Sequence, residues 1–137
     1  MSDVRVWVNG RLVSADEPSV SAIDHGVTVG DGAFETCKVV GGRGFAVTRH
    51  LRRMDRSLAG LGLPPASHER VLAGVSAVLG AAGDMPWGRL RWTITGGLGP
   101  LGSDRLDSAL TYVVTAGPVA PPPPSVGIVT VPWTRNE

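Results

Sequence analysis

Gly30-Asp31-Gly32-Ala33-Phe34-Glu35-Thr36 and, a little further on, Arg49-His50-Leu51-Arg52-Arg53-Met54 are the stretches that decide the fold. Asp24-His25-Gly26 precedes them, so two glycine-bearing turns lead into a run of β-formers from Phe34 to Val40. The glycine-rich residues 41–44 then predict a turn into a short strand, Phe45-Ala46-Val47. The order is therefore turn, strand, turn, strand and an arginine-bearing helix.

Two amphipathic helices follow from apolar residues at helical spacing. The first is predicted from His50 to about Leu61 with Thr48 as its N-cap, and its apolar face is Leu51, Met54, Leu58 and Leu61. The second is predicted from Ser67, as N-cap, to Ala82, with Gly83 at its end. Its buried stripe is predicted to be Val71, Val75, Val78 and Leu79.

The remaining strands flank this core. Asn9-Gly10 between alternating apolar runs is a strong hairpin signal, because both central residues of a type I′ turn need positive φ. Further strands are predicted at 89–95, 110–115 and 126–131, and residues 14–32 are predicted to be a loop. The fold class is therefore α+β: a mostly antiparallel sheet of five or six strands with the two helices packed on one face.

A proline run indicates the domain organisation. Gly117-Pro118-Val119-Ala120 continues into four consecutive prolines, and such a segment prefers an extended path and acts as a spacer. We expect an N-terminal domain over residues 1–117, a linker over 118–125, and the first strand of a second, truncated domain over 126–137. The alternative is that the last strand joins the first domain's own sheet.

Composition excludes several classes of function. The 137 residues are 42% hydrophobic and 18% charged with a formal charge of +1, which is typical of one globular domain and argues for neither a nucleic-acid partner nor a membrane surface. Cys37 is the single cysteine, which fits a reducing cytoplasm. No signal peptide and no apolar run long enough to cross a membrane is visible, so a cytoplasmic location is expected.

Several motifs are weaker than they look. Gly97-x-Gly99-x-x-Gly102 matches the dinucleotide-binding pattern, but Pro100 interrupts it and a strand follows, so a flexible loop at a site's rim is the better interpretation. His25 is interpreted as a turn residue and His50 as a hydrogen-bonded structural residue. No cluster has metal-ligand spacing, and no metal is predicted.

The arginines of the first helix divide into two groups. Projected at about 100° per residue, Arg49, Arg52 and Arg56 lie opposite the apolar face and are expected in solvent. Arg53 lies at the edge of that face, where its planar guanidinium can bind an anion through two hydrogen bonds.

These blocks together resemble the N-terminal domain of fold-type-IV pyridoxal-phosphate (PLP) enzymes. The resemblance runs from Trp7 to the terminal Arg135-Asn136-Glu137, which is similar to a segment that precedes the Schiff-base lysine in that family. It implies that Phe34 lines the substrate pocket, that Arg53 binds the phosphate of PLP, and that the protein is a homodimer.

The catalytic lysine of the family has no counterpart in this sequence. Lys38 is the only lysine among thirteen basic residues and lies on a strand that the family uses structurally. Arginine cannot replace a Schiff-base lysine, because it stays protonated. We therefore expect no catalytic residue up to Glu137, and we expect this chain alone to be inactive.

The resemblance also implies that the predicted strand 89–95 and its loop face the substrate, which adds Arg89, Arg91, Thr95 and Gly96 to the predicted site. Arg89 and Arg91 share one face of the strand, which can be the pocket or a solvated outer surface. The resemblance favours aminodeoxychorismate lyase, which releases pyruvate and forms 4-aminobenzoate for folate synthesis. The alternatives are an aminotransferase for branched-chain or D-amino acids and a non-catalytic interaction domain on the same scaffold.

Overall fold

A computed structural model describes residues 3–134 of the chain. Six antiparallel strands form one sheet in the order β2-β1-β6-β5-β3-β4. The strands and helices are, in chain order, β1 (Arg5–Val8), β2 (Arg11–Val13), α1 (His25–Thr28), β3 (Gly32–Val40), β4 (Arg43–Gly44), α2 (Val47–Gly60), α3 (His68–Ala82), β5 (Trp87–Thr95) and β6 (Thr111–Pro118). The α+β class and the antiparallel sheet are thus confirmed.

Helices α2 and α3 cover one face of this sheet. Leu90, Trp92 and Ile94 of β5 point to the helices and have no exposed surface. A Cβ at Gly74 of α3 would lie 2.6 Å from Val114 and 2.8 Å from Trp7, so α3 approaches the sheet as closely as a glycine permits. The core therefore lies between these two helices and one side of the sheet.

The start of α2 differs from the prediction. The predicted strand at 45–47 does not form, because Ala46 adopts a left-handed conformation (φ 56°) that turns the chain from β4 directly into the helix. Ala46 is the N-cap and makes no side-chain capping bond, so the expected cap at Thr48 is wrong. At the other end, α2 stops at Gly60, and Leu61 is 50% exposed while Leu63 takes the buried place.

Helix α3 agrees with the prediction. It runs from His68 to Ala82, and the hydroxyl of its N-cap Ser67 accepts a hydrogen bond from the Arg70 N–H. Gly83 ends it at φ 68°. Val71, Val75 and Val78 are buried as expected, while Leu79 is partly buried against the same core.

Two further segments depart from the expectations. The predicted loop 14–32 contains the single turn α1, because the carboxylate of Asp24 accepts a hydrogen bond from the Gly26 N–H. The strand predicted at 126–131 is absent: these residues are exposed and pair with no other strand of residues 3–134. The division into two domains stays a prediction, and the terminal Arg135-Asn136-Glu137 lies outside the described residues.

Candidate functional site

The face of the sheet that no long helix covers carries most of the predicted substrate residues. Alternation along β3 and β5 places Phe34, Arg89 and Arg91 there, all exposed, while their neighbours point into the core. The register sets Phe34 opposite Thr93 and sets Thr36 opposite Arg91. We call this surface the open face.

Arg91 is held on the open face by two contacts. Its guanidinium carbon lies 3.7 Å from the centre of the Phe34 ring, a cation–π distance. Its Nε donates a hydrogen bond to the Thr93 hydroxyl at 3.3 Å. The structure therefore brings Phe34 and Arg91 together, as one aromatic and cationic unit.

Arg89 lies two residues away on the same face. Arg89 and Arg91 line a concavity of about 320 Å³ whose other walls are β6, the chain that follows it and Val4. Both arginines thus lie beside a depression rather than on a flat surface.

Thr95 and Gly96 do not expose side chains on the open face and instead contact neighbouring backbone groups. Thr95 is buried, and its hydroxyl accepts a hydrogen bond from the Gly97 N–H. The Gly96 N–H donates to the Asp31 carbonyl at 2.8 Å, and a Cβ at Gly96 would lie 3.3 Å from both Asp31 and His25. A side chain at position 96 would therefore require Asp31 or His25 to shift by a few tenths of an ångström.

His25 fastens the glycine-rich loop to the Asp24-His25-Gly26 turn. Its ring is fully buried, its Nε2 lies 3.1 Å from the Pro100 carbonyl, and its backbone N–H donates to the Gly97 carbonyl at 2.8 Å. Arg105 adds a hydrogen bond from its Nε to the Gly96 carbonyl. No helix follows this loop before β6 begins, which agrees with the rejection of the dinucleotide pattern.

A second cluster lies between β3 and α2, on the other face of the sheet from Phe34. Its centre is Glu35, which is 3% exposed. Arg53 donates to both carboxylate oxygens, from Nε to Oε1 at 2.6 Å and from Nη2 to Oε2 at 2.5 Å. His50 Nδ1 lies 2.7 Å from Oε2, so it carries a proton and donates it to a carboxylate that can only accept.

These partners decide the charge of Glu35. Burial by itself would raise the pKa of this carboxyl, but the hydrogen bonds and charges of Arg53 and His50 outweigh that effect and hold the pKa below its ordinary value. The same hydrogen bond and the negative charge of Glu35 raise the pKa of Arg53. The buried group is therefore a carboxylate at neutral pH.

The side of Arg53 away from Glu35 borders a basic concavity. It measures about 330 Å³ and is lined by Ala46, Arg49, His50, Arg53 and Arg56. The side chain of Arg53 is 58% exposed. Arg49 and Arg56 are exposed as expected, but they share this concavity with Arg53, whereas the prediction had separated them from it.

Sequence reasoning quoted Glu35 within its block and gave it no role. A signal was present, because an acidic side chain in a strand must reach either solvent or hydrogen-bond donors, and Arg53 offers such donors. The helical projection placed Arg53 at the edge of the apolar face but could not say which strand that edge meets.

Lys38 lies on the open face beside Arg89, at the far end of β3 from Phe34's loop end and away from the Glu35 cluster. Its Nζ is 4.6 Å from the centre of the Phe45 ring, and its register partner is Arg89. Lys38 is six residues along β3 from Gly32, a distance of about 20 Å at the usual rise of a strand. It is therefore far from the glycine-rich loop that borders the other end of β3.

The fold and these blocks are similar to the N-terminal domain of fold-type-IV enzymes. Residues 32–137 match the family model described as amino-transferase class IV, and the chain belongs to that family.

Two curated relatives illustrate the match. The D-alanine aminotransferase of Staphylococcus aureus (strain N315) is 41% identical over 59 residues, which are 43% of this chain and 21% of that protein. A protein of Methanocaldococcus jannaschii, described as a putative branched-chain-amino-acid aminotransferase, is 29% identical over 102 residues, which are 74% of this chain and 35% of that protein. The chain thus spans about a third or less of these relatives.

Solved structures agree. A hypothetical aminotransferase from Mycobacterium tuberculosis in its PLP-bound form superposes with a TM-score of 0.71 at 29% identity, over 85% of this chain and 40% of that one. The 4-amino-4-deoxychorismate lyase from Pseudomonas aeruginosa superposes with a TM-score of 0.67 at 26% identity, over 82% of this chain and 39% of that one.

Residues 3–134 show neither a metal cluster nor a membrane-spanning helix. No group of three or more His, Cys, Asp or Glu side chains there is placed to hold a metal ion. None of the helices in that range is both long and apolar enough to cross a membrane.

Proposed function

We propose that this chain forms part of the cofactor and substrate site of a PLP-dependent enzyme that acts on an amino or keto acid. The observation that carries the proposal is Arg53, which a buried carboxylate holds at the edge of a basic concavity. Family membership supports it, because enzymes of this family use PLP, which stabilises negative charge on a bound amino acid.

The residues of this chain fit the phosphate of the cofactor. A phosphate dianion suits a concavity with several guanidinium groups, because arginine matches its geometry with paired hydrogen bonds. The N-terminus of α2 adds to this, since Ala46 supplies no side-chain cap and the first backbone N–H groups of a helix favour anions. Arg53 would hold the phosphate, with Arg49 and Arg56 beside it.

The same residues do not fit the aldehyde of the cofactor. Lys38 packs against Phe45 and lies far from the glycine-rich loop. We therefore keep the expectation that no residue of this chain forms the covalent link to PLP, and that this chain alone is inactive.

The open face would receive the substrate. Within residues 3–134, β4 pairs only with Val39 and Val40, so the edge of β3 at Phe34 and Glu35 has no strand neighbour and a ligand can reach the open face there. A ligand along this edge would have Arg53 on one face and Phe34 on the other. Phe34 would pack against the substrate's side chain, and Arg91 would contact its carboxylate.

For the reaction, amino-group transfer between an amino acid and a keto acid is the better-supported proposal. Both curated relatives described above are named as aminotransferases. The lyases and D-amino-acid aminotransferases of the family carry an arginine directly before the first loop glycine, and this chain has Gly96 at that position. Arginines on the strand, as in the branched-chain enzymes, are present at Arg89 and Arg91.

Elimination of pyruvate from 4-amino-4-deoxychorismate, the reaction favoured in the sequence analysis, is the second candidate. The likeness to the Pseudomonas aeruginosa lyase supports it. A homodimer, a cytoplasmic location and the absence of a nucleic-acid partner also stay proposals, as does the non-catalytic alternative.

The test of the cofactor site measures binding of PLP and of inorganic phosphate to the chain by isothermal titration calorimetry. Arg53→Ala should abolish binding of both, and Arg52→Ala, a neighbour outside the concavity, should leave it unchanged. Unaltered binding by Arg53→Ala, or a borohydride-stable attachment of PLP to Lys38, would contradict the proposal.

The test of the reaction assays the longest protein that carries this chain. Keto acid formed from branched-chain or D-amino acids supports transfer, and 4-aminobenzoate formed from 4-amino-4-deoxychorismate supports elimination. If neither product forms, the non-catalytic interaction domain remains as the explanation.

A further inference from the structure

Glu35 is placed to control the orientation of Arg53. Arginine carries five N–H donors in a planar fork, and two bonds to one carboxylate fix the plane of that fork. The side chain has several rotatable bonds and is 58% exposed, so without this partner it would sample many rotamers. The two bonds leave three N–H donors of Arg53 for a ligand in the concavity.

His50 fixes the carboxylate in turn. Its Nδ1–H donates to Oε2 at 2.7 Å, the oxygen that also accepts from Arg53 Nη2. The ring of His50 meets the buried indole of Trp92 edge-on, with centroids 6.0 Å apart. A rigid core residue therefore supports His50, His50 and Arg53 share Glu35, and Glu35 holds the exposed end of Arg53.

Stability alone does not account for this carboxylate. Cys37 and Val39, which point to the helices from the same strand, are apolar and buried. Replacing a buried ion pair by well-packed apolar residues is often neutral or stabilising, so such a pair is weak evidence for a role in stability. A carboxylate here does provide something an apolar residue cannot, which is a direction for the guanidinium.

We propose that Glu35 is the positioning residue of the anion site: together with His50 it locks Arg53 in the orientation that receives a phosphate dianion. Because Glu35 directly follows Phe34 in β3, it also sets the site of the anion relative to the residue that faces the substrate. The inference rests on the proposed function, since it assumes that Arg53 binds phosphate.

Because Glu35 is negatively charged, the direction in which phosphate affinity changes when it is removed tests the proposal. A negative charge near a phosphate repels it, so a Glu35 that merely neutralised Arg53 would weaken binding, and its removal would tighten binding. A positioning role requires the opposite. Glutamine offers one acceptor oxygen to three donors and places an amide N–H₂ against them, so the fork of Arg53 is released.

The experiment titrates inorganic phosphate and PLP into the wild-type chain and into Glu35→Gln. We expect Glu35→Gln to bind phosphate roughly three- to tenfold more weakly, the range for freeing one rotamer-rich side chain. The Arg53 Nε–H resonance in ¹H–¹⁵N spectra should also lose its hydrogen-bonded shift and its protection from exchange with water. Arg52→Gln is the matched control and should change neither quantity.

A second variant covers the case in which Glu35→Gln does not fold. Glu35→Asp keeps the charge but withdraws the carboxylate by one methylene, and it should weaken phosphate binding while the net charge is unchanged. Unchanged or tighter binding in the folded variants overturns the positioning role. If Arg53→Ala still binds phosphate as wild type does, the proposed function itself fails; loss of binding in Arg53→Ala with normal binding in the Glu35 variants removes only this inference.

Discussion

The two faces of the sheet use the same strands for different purposes. On the helix-covered face of β5, Leu90, Trp92 and Ile94 are fully buried. On the open face of the same strand, Arg89 and Arg91 are exposed, and Arg91 packs on the exposed Phe34. Alternation along a strand thus separates the residues that stabilise the domain from those exposed on the open face. Glu35 is the exception, because it lies on the buried face and yet holds an exposed arginine.

The largest contrast between the faces should come from two tryptophans of one strand. Trp92→Ala should lower the free energy of unfolding by about 3–5 kcal/mol, because it removes a fully buried ring from the core. Trp87→Ala, on the open face, should cost less, about 1–2 kcal/mol, because Trp87 is already 36% exposed. Urea denaturation at 25 °C measures both. Equal costs would mean that the open face is covered in solution.

Two glycines of the glycine-rich loop 96–102 test whether backbone contacts of this loop contribute to stability. Gly97 has φ 83°, and a Cβ there would clash with the Ala109 carbonyl oxygen. Gly97→Ala should therefore lower the free energy of unfolding by about 2–4 kcal/mol, from strain and overpacking together. Gly102 has no atom within 4 Å of such a Cβ, so Gly102→Ala should be nearly neutral in thermal unfolding. A tolerated Gly97→Ala would show that the loop is held less tightly than its hydrogen bonds suggest.

The pH dependence of stability isolates the exception, Glu35. Its pKa is lowered in the folded state, so the stabilisation is fully present above the unfolded value of about 4.5 and is lost as the pH falls through the folded value. Glu35→Gln should cost about 1–3 kcal/mol at pH 7, because it leaves buried donors unsatisfied, and this difference from wild type should shrink as the pH falls through the lowered pKa of Glu35. Denaturation at a series of pH values measures it.

Glu69→Gln, an exposed acid in the first turn of α3, is the control for that series and should show little of this dependence. A difference between wild type and Glu35→Gln that stays constant with pH would argue against a carboxylate at Glu35.

The smallest effect should be the contact between Phe34 and Arg91. A double-mutant cycle with Phe34→Leu and Arg91→Ala should give a coupling of about 0.5–1 kcal/mol, the usual value for an exposed cation–π pair. The same cycle with Arg89→Ala should give a coupling near zero. A coupling for Arg89 as large as that for Arg91 would show that the two arginines exchange places over Phe34.

Much of this fold follows from local signals in the sequence. The spacing of Val71, Val75 and Val78 identified α3, Ser67 and Gly83 marked its ends, and Asn9-Gly10 located the first hairpin. The predictions fail at two places, where a single backbone torsion or a missing strand partner determines the local structure. Phe45-Ala46-Val47 has the composition of a strand, yet the left-handed Ala46 ends the strand and begins the helix. Residues 126–131 have the composition of a strand as well, but a strand needs a neighbour to pair with, which composition does not reveal.

Local signals in the sequence were sufficient to indicate the family, the antiparallel α+β class, and which residues of β5 alternate between core and surface, because apolar periodicity and turn residues act locally. It also singled out Phe34 and Arg53. Only the tertiary structure decided how they are arranged. Phe34 meets Arg91 across the open face, and Arg53 meets Glu35 across the buried one, since both pairs are joined by strand register and helix packing between residues far apart in the chain. The geometry of the candidate site depends on those long-range contacts.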